Sequence, residues 1–176
     1  MTPKLILILG GARAGKSTFA LRLANEHAGE GSVTFVATAQ ALDDEMAQRI
    51  ARHREERPAH WSTIEEPYAI DRALIQARDS SVVLIDCLTL FVSNWLLRSE
   101  DSRPQETTES FLAAMRFQTQ TVICVSNEVG LGLVPETPLG RTFRDLLGRV
   151  NQQFAEAADE VYLLVAGLPL RLKPRD

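Results

Sequence analysis

Residues 4–19 read Lys-Leu-Ile-Leu-Ile-Leu-Gly-Gly-Ala-Arg-Ala-Gly-Lys-Ser-Thr-Phe, and no other stretch limits the fold as much. An apolar run of strand length leads into G-x-x-x-x-G-K-S, and a helical pattern follows at once. Gly10 and Gly15 let the backbone bend tightly around an anion. Gly11, Ala12, Arg13 and Ala14 complete a loop whose N–H groups, with the helix N terminus, point at phosphate oxygens. Lys16 can reach the β- and γ-phosphates, and the Ser17 hydroxyl can hold Mg²⁺. A glycine-rich turn that matched by chance would lack the flanking strand and helix. Both are present, so nucleotide binding is expected.

Further apolar runs of strand length lie at Val33–Ala37, Val82–Asp86, Thr121–Ser126 and Glu160–Val165. They are continuous rather than alternating, as suits parallel strands covered on both faces. Helical patterns separate them, at Ser17–His27, Ala41–Glu56, Tyr68–Arg78, Leu88–Leu97, Ser110–Phe117 and Leu139–Ala157. This alternation predicts an α/β fold with a mostly parallel, doubly wound sheet and helices on both faces. Leu170–Lys173 is expected to be an edge strand or hairpin arm, and Arg98–Ser110, the most polar stretch, a surface loop. With 176 residues and no visible linker, one domain spanning 1–176 is expected.

The net charge of −4 argues against a broad nucleic-acid-binding face. Cys87 and Cys124 lack metal-type spacing and read as buried free thiols in a reducing compartment. No run approaches the ~18 apolar residues needed to cross a membrane. Leu5–Leu9 is too short for a signal core, so a cytoplasmic protein is expected.

In open α/β sheets, ligands bind beyond the carboxyl ends of strands. That rule selects Gly10 onward, Thr38 with Ala39, Asp86 with Cys87, and Asn127 with Glu128. Asp86, after four apolar residues, is the leading partner for Ser17 at a Mg²⁺ site. The guanine-specifying N-K-x-D is absent. Asn127–Glu136 contains two glycines and is either a loop shaped around a ligand or neighbouring chain or a plain surface turn. Leu88–Leu97 is apolar on nearly every side, which fits a buried helix, a subunit contact or a wall for a bulky apolar substrate.

Asp43–Pro58 opens with acidic and closes with basic residues, as a helix macrodipole favours. His53 there has two readings. It complements the C-terminal dipole, or it continues the stripe of Leu42, Met46 and Ile50 and, with Arg49 one turn away, faces a triphosphate. As a nucleophile it must be neutral; the dipole opposes this and the arginines favour it. His27 ends a helix and His60 sits beside Trp61, and the three histidines lack metal-ligand spacing.

The segments G-G-A-R-A-G-K-S, V-A-T-A, D-D-E-M-x-x-R-I-x-x-H-R-x-x-R-P, W-x-T-I-E-E-P, L-I-D-C-L-T, V-S-N-E-V-G-x-G-x-V-P and F-R-D-x-x-G-R-V-N-Q occur in that order. Together they resemble the bifunctional adenosylcobinamide kinase/adenosylcobinamide-phosphate guanylyltransferases of cobalamin biosynthesis, over about Leu5–Val165. The resemblance implies a RecA-like P-loop NTPase-type fold, ATP and GTP as substrates, a divalent cation, a corrinoid acceptor and a homotrimer with sites near subunit contacts. It implies that His53 forms a GMP-histidine intermediate and that Lys16 serves catalysis. It further implies nucleotide contacts from Gly10–Ser17, from Ala37, Thr38 and Ala39, from Arg54, Glu55, Glu56 and Arg57, and from Glu65 and Asp86. Some members carry Glu at the position of Asp86, which leaves metal and ribose contact both open for it. Two other readings remain: a single-activity small-molecule kinase with a structural His53, and a non-catalytic nucleotide-dependent switch.

Overall fold

A computed structural model describes residues 4–98 and 104–173. Seven strands form one sheet in the order β3-β2-β4-β5-β1-β6-β7. In chain order the elements are β1 (Leu5–Gly10), α1 (Lys16–Ala28), β2 (Val33–Ala37), α2 (Asp44–Glu55), β3 (Ser62–Glu65), α3 (Ile70–Gln76) and β4 (Val82–Asp86). Then follow α4 (Leu88–Arg98), α5 (Pro104–Met115), β5 (Thr121–Val125), α6 (Pro138–Ala157), β6 (Glu160–Val165) and β7 (Leu168–Lys173). Every pairing is parallel except β6 with β7, which is an antiparallel hairpin.

The continuous apolar runs separate onto two faces because successive side chains alternate across a strand. Leu5, Leu7 and Leu9 join Phe91, Phe111, Leu147 and Phe154 on the side of α3, α4, α5 and α6. Ile6 and Ile8 join Phe19, Leu23 and Trp61 on the side of α1. α2 buries none of its residues, so this helix rests on the molecule without entering the core.

Four sequence expectations change. β3 has only exposed and half-exposed positions, so no apolar run announces it. The stretch 98–110 is not one surface loop: α4 extends to Arg98 and α5 begins at Pro104, with Pro104, Thr108 and Phe111 buried. Residues 99–103 of that expectation lie outside the described residues. α2 starts at Asp44 rather than Ala41, because the Asp43 carboxylate accepts from the Met46 N–H and caps the helix. Leu42 therefore falls outside the helix and is exposed, while Met46, Ile50 and His53 are half-buried on one stripe. Among the thiols, Cys124 is buried and Cys87 only half-buried.

Candidate active site

Register brings the strand ends to one edge. Ala37 pairs with both Asp86 and Glu65, Asp86 pairs with Val125, and Gly10 pairs with Leu164. β5 lies between β1 and β4, so the glycine loop and Asp86 flank the exit of β5.

The glycine loop is held from the side by the β6–β7 hairpin. Gly10 has φ 155°, and a Cβ there would meet the Leu164 carbonyl oxygen at 2.7 Å. Gly15 has φ 92°, and a Cβ there would meet Gly167 Cα at 3.2 Å. The Gly167 N–H donates to the Ala14 carbonyl at 3.0 Å. These two loop positions thus require glycine for their neighbours as well as for their backbone angles. Gly11, Ala12 and Arg13 form the exposed rim of the loop, and Ala14 is half-buried beneath it.

Lys16 Nζ donates to the Gly11 carbonyl at 2.7 Å, folded back over the loop it would share with a phosphate chain. Burial lowers its pKa, against the opposing influence of Cys87 and Asp86 and with the help of nearby Arg49. The Ser17 hydroxyl donates to Asp86 Oδ2 at 3.2 Å. Burial raises the Asp86 pKa, and it outweighs His53, the Ser17 bond, Arg57 and Lys16, all of which favour the carboxylate. A hydroxyl and a desolvated carboxylate side by side are hard oxygen donors that suit Mg²⁺, which completes its shell with water and phosphate oxygens. Among the described residues no group of three or more His, Cys, Asp or Glu forms a dedicated metal cage. Cys87 beside Asp86 has its thiol pushed up to about 11 by burial and by that carboxylate, so it is a protonated neighbour rather than a thiolate.

Asp86 is fastened through Thr38. The buried Thr38 hydroxyl accepts from the Cys87 N–H at 2.7 Å and donates to the Cys87 carbonyl at 2.7 Å. The Thr38 N–H donates to the Asp86 carbonyl at 3.2 Å, and the Thr38 carbonyl accepts from Asn94 Nδ2 at 2.7 Å. The Thr38 side chain is therefore spent on the end of β4. Asn94 comes from α4, where it is a buried polar residue in an otherwise apolar helix.

His53 approaches from α2. Its ring is half-exposed, its Nδ1 lies 3.5 Å from Glu56 Oε2, and it lies near enough to Asp86 to favour that carboxylate whenever the ring carries a proton. The contact to Glu56 favours a proton on Nδ1, which leaves Nε2 as the lone-pair nitrogen. Arg57 lays its guanidinium over the Phe35 ring, 3.5 Å from the centroid, and its buried Nε has no hydrogen-bond partner among the described residues. Burial lowers the Arg57 pKa, opposed by Asp86. Arg54 pairs with Glu65 at 2.5 Å across the gap from α2 to β3. Ala37 is buried and Ala39 half-buried at the end of β2, while Glu55 is exposed on the outer side of α2.

The edge thus unites Lys16, Ser17, Thr38, His53, Arg57 and Asp86. Sequence reasoning did not identify Thr89, whose hydroxyl accepts from the Asn127 N–H at 2.7 Å. It likewise passed over Asn151, whose Oδ1 accepts from the Ser126 hydroxyl at 2.7 Å and whose Nδ2 donates to the Asn127 carbonyl at 3.0 Å. Polar residues within the apolar patterns of α4 and α6 were the available signal.

Residues 6–172 match the family described as cobinamide kinase / cobinamide phosphate guanyltransferase. The chain belongs to this family. It is 43% identical to the bifunctional adenosylcobalamin biosynthesis protein CobU of Escherichia coli, over 96% of this chain and 99% of that one. It is 46% identical to the bifunctional adenosylcobalamin biosynthesis protein CobP of Pseudomonas aeruginosa, over 95% of this chain and 96% of that one. Among solved structures, the flagellar accessory protein FlaH of Methanocaldococcus jannaschii superposes with a TM-score of 0.60 at 17% identity, over 99% of this chain and 80% of that one. A KaiC-like protein of Pyrococcus horikoshii gives 0.51 at 17% identity, over 92% of this chain and 71% of that one. These two likenesses concern the fold, which is of the P-loop NTPase type.

Proposed function

We propose that this member of the cobinamide kinase/cobinamide phosphate guanyltransferase family carries out both family reactions at the edge described above. In the first, the γ-phosphoryl group of ATP or GTP passes to the aminopropanol hydroxyl of adenosylcobinamide. In the second, GMP from GTP passes to adenosylcobinamide phosphate, giving adenosylcobinamide-GDP and pyrophosphate. The observation that supports this reading is the position of His53, on the half-buried stripe of α2 near Asp86, the carboxylate that accepts from Ser17 of the glycine loop.

In the kinase step the loop N–H groups and Lys16 hold the phosphate chain, with the ammonium leaving the Gly11 carbonyl for phosphate oxygens. Catalysis then consists mainly of aligning the acceptor hydroxyl with the γ-phosphorus. Ser17 and Asp86 would hold a divalent cation, which when bound neutralises charge on the transferring phosphoryl group. In the second reaction His53 Nε2 attacks the α-phosphorus of GTP, a P–N bond forms, and the bond to pyrophosphate breaks. An oxygen of the corrinoid phosphate next attacks that phosphorus, and the electron pair of the P–N bond returns to the imidazole. Arg57, held over Phe35 with an Nε that no described residue occupies, is preorganised to offset charge on the phosphate chain. Ala37, Ala39, Arg54, Glu55, Glu56 and Glu65 would line the nucleotide, and Thr38 would serve by placing Asp86.

The family resemblance supports a homotrimer in the cytoplasm. Among the described residues no helix is long and apolar enough to cross a membrane. Incubation with α-labelled GTP tests the central step. An acid-labile, alkali-stable label on the protein that is lost in His53→Ala is expected. An unlabelled protein that still phosphorylates adenosylcobinamide would leave a single-activity kinase.

A further inference from the structure

The acceptor of both reactions is far larger than the group it presents, so the protein needs a surface for the corrin ring beside the cradle. Leu131, Leu133 and Val134 occupy the connection between β5 and α6 and are 82%, 96% and 66% exposed. Three large apolar side chains displayed within four residues are unusual unless something covers them.

The position of this connection says what that is. It leaves the sheet between β1 and β4, the strands that carry the glycine loop and Asp86. Its first turn is tied to the glycine loop itself, because the Glu128 N–H donates to the Gly10 carbonyl at 3.1 Å. Glu128 Oε1 accepts from the Gly130 N–H at 2.8 Å, and Thr89 and Asn151 grip Asn127. At the far end Arg141 donates to the carbonyls of Pro135 and Glu136 at 3.0 and 2.7 Å. The leucines are thus presented on a connection that is fastened at both ends and starts against the glycine loop.

We propose that Leu131, Leu133 and Val134 form the acceptor-binding surface and take the apolar face of the corrin macrocycle. The inference rests on the proposed function, and the test separates the two. The double variant Leu131→Ser/Leu133→Ser is compared with the parent protein in two assays: cobinamide phosphorylation by ATP, and self-labelling by α-labelled GTP without corrinoid. The expected result is a rise of about tenfold or more in KM for cobinamide. KM for ATP, the self-labelling yield and the oligomeric mass stay unchanged, and Leu131→Ile/Leu133→Ile recovers the parental KM. An unchanged KM for cobinamide overturns the proposal. A parallel fall in self-labelling overturns it too, since the leucines then serve the nucleotide site or the fold. A changed oligomeric mass overturns it in favour of a second copy of the chain as the occupant. Failure of the parent protein to phosphorylate cobinamide would instead refute the proposed function.

Discussion

The Ser17 hydroxyl meets the Asp86 carboxylate at 3.2 Å, joining the first turn of α1 to the end of β4 across the exit of β5. Neither residue could hold a divalent cation alone. Together they present two oxygens in a half-buried setting where the carboxylate is disfavoured until a cation arrives.

That cost predicts opposite effects of one substitution. Burial raises the Asp86 pKa, so its contribution to stability is present at low pH and is lost as pH rises through the raised value. Asp86→Asn should therefore raise the melting temperature of the nucleotide-free protein at neutral pH, by about 2–4 °C per kcal/mol regained. Both activities should fall and their Mg²⁺ dependence flatten. A lower melting temperature, with activity retained, would contradict the assignment.

Thr38→Val removes the hydroxyl that serves both backbone groups of Cys87. The Cys87 carbonyl keeps the Phe91 N–H, but the Cys87 N–H loses its partner, which should cost about 1–3 kcal/mol in urea denaturation. The apparent Mg²⁺ requirement should rise as Asp86 loses its anchorage. Thr38→Ser, which keeps the hydroxyl, should restore both quantities.

His53→Ala should abolish protein labelling by α-labelled GTP and formation of adenosylcobinamide-GDP. Phosphorylation of adenosylcobinamide should stay within about threefold of the parent, because no kinase step uses the imidazole. Product analysis with both triphosphates separates these outcomes, and equal loss of the two activities would refute the division of labour.

Glu160 gives a pH signature remote from the cradle. Burial pushes its carboxyl up, but bonds from Lys4 and Tyr162 and the nearby charges of Lys4 and Arg171 outweigh this and hold it below the usual range. The stability it contributes is present above the unfolded-state pKa and lost as pH falls through the depressed value. Glu160→Gln should thus destabilise by about 1 kcal/mol at pH 7, with the difference vanishing in acid. Urea titrations at several pH values would show whether it does.

The sequence made legible those elements whose signals are local. β1, the glycine loop and α1 follow from apolar run, glycine spacing and Lys16-Ser17, and four more strands follow from apolar runs of the right length. β3 escaped because Ser62–Glu65 pairs on one side only and stays largely exposed, which leaves no apolar run to read. The second half of α5 was legible as the helical pattern from Ser110, but its first half, residues 104–109, is polar in sequence and read as loop. At the site, Asp86 was expected beside Ser17, since both terminate recognisable elements. The proximity of His53 to Asp86 was not readable, because it depends on how α2 lies over the sheet. Asn94 and Asn151 stand out as polar residues within apolar helical patterns, but their duties, like that of Thr38, could not be read because their partners lie far away in sequence.

The contacts of Gly10 with Leu164 and of Ala14 with Gly167 carry a consequence for biogenesis. The ribosome makes the glycine loop well before the β6–β7 hairpin that braces it. A nascent chain would hold the loop without lateral support until that hairpin emerges, so nucleotide affinity should arise abruptly with it. Stalled chains ending before Val165 would then be released without a working cradle.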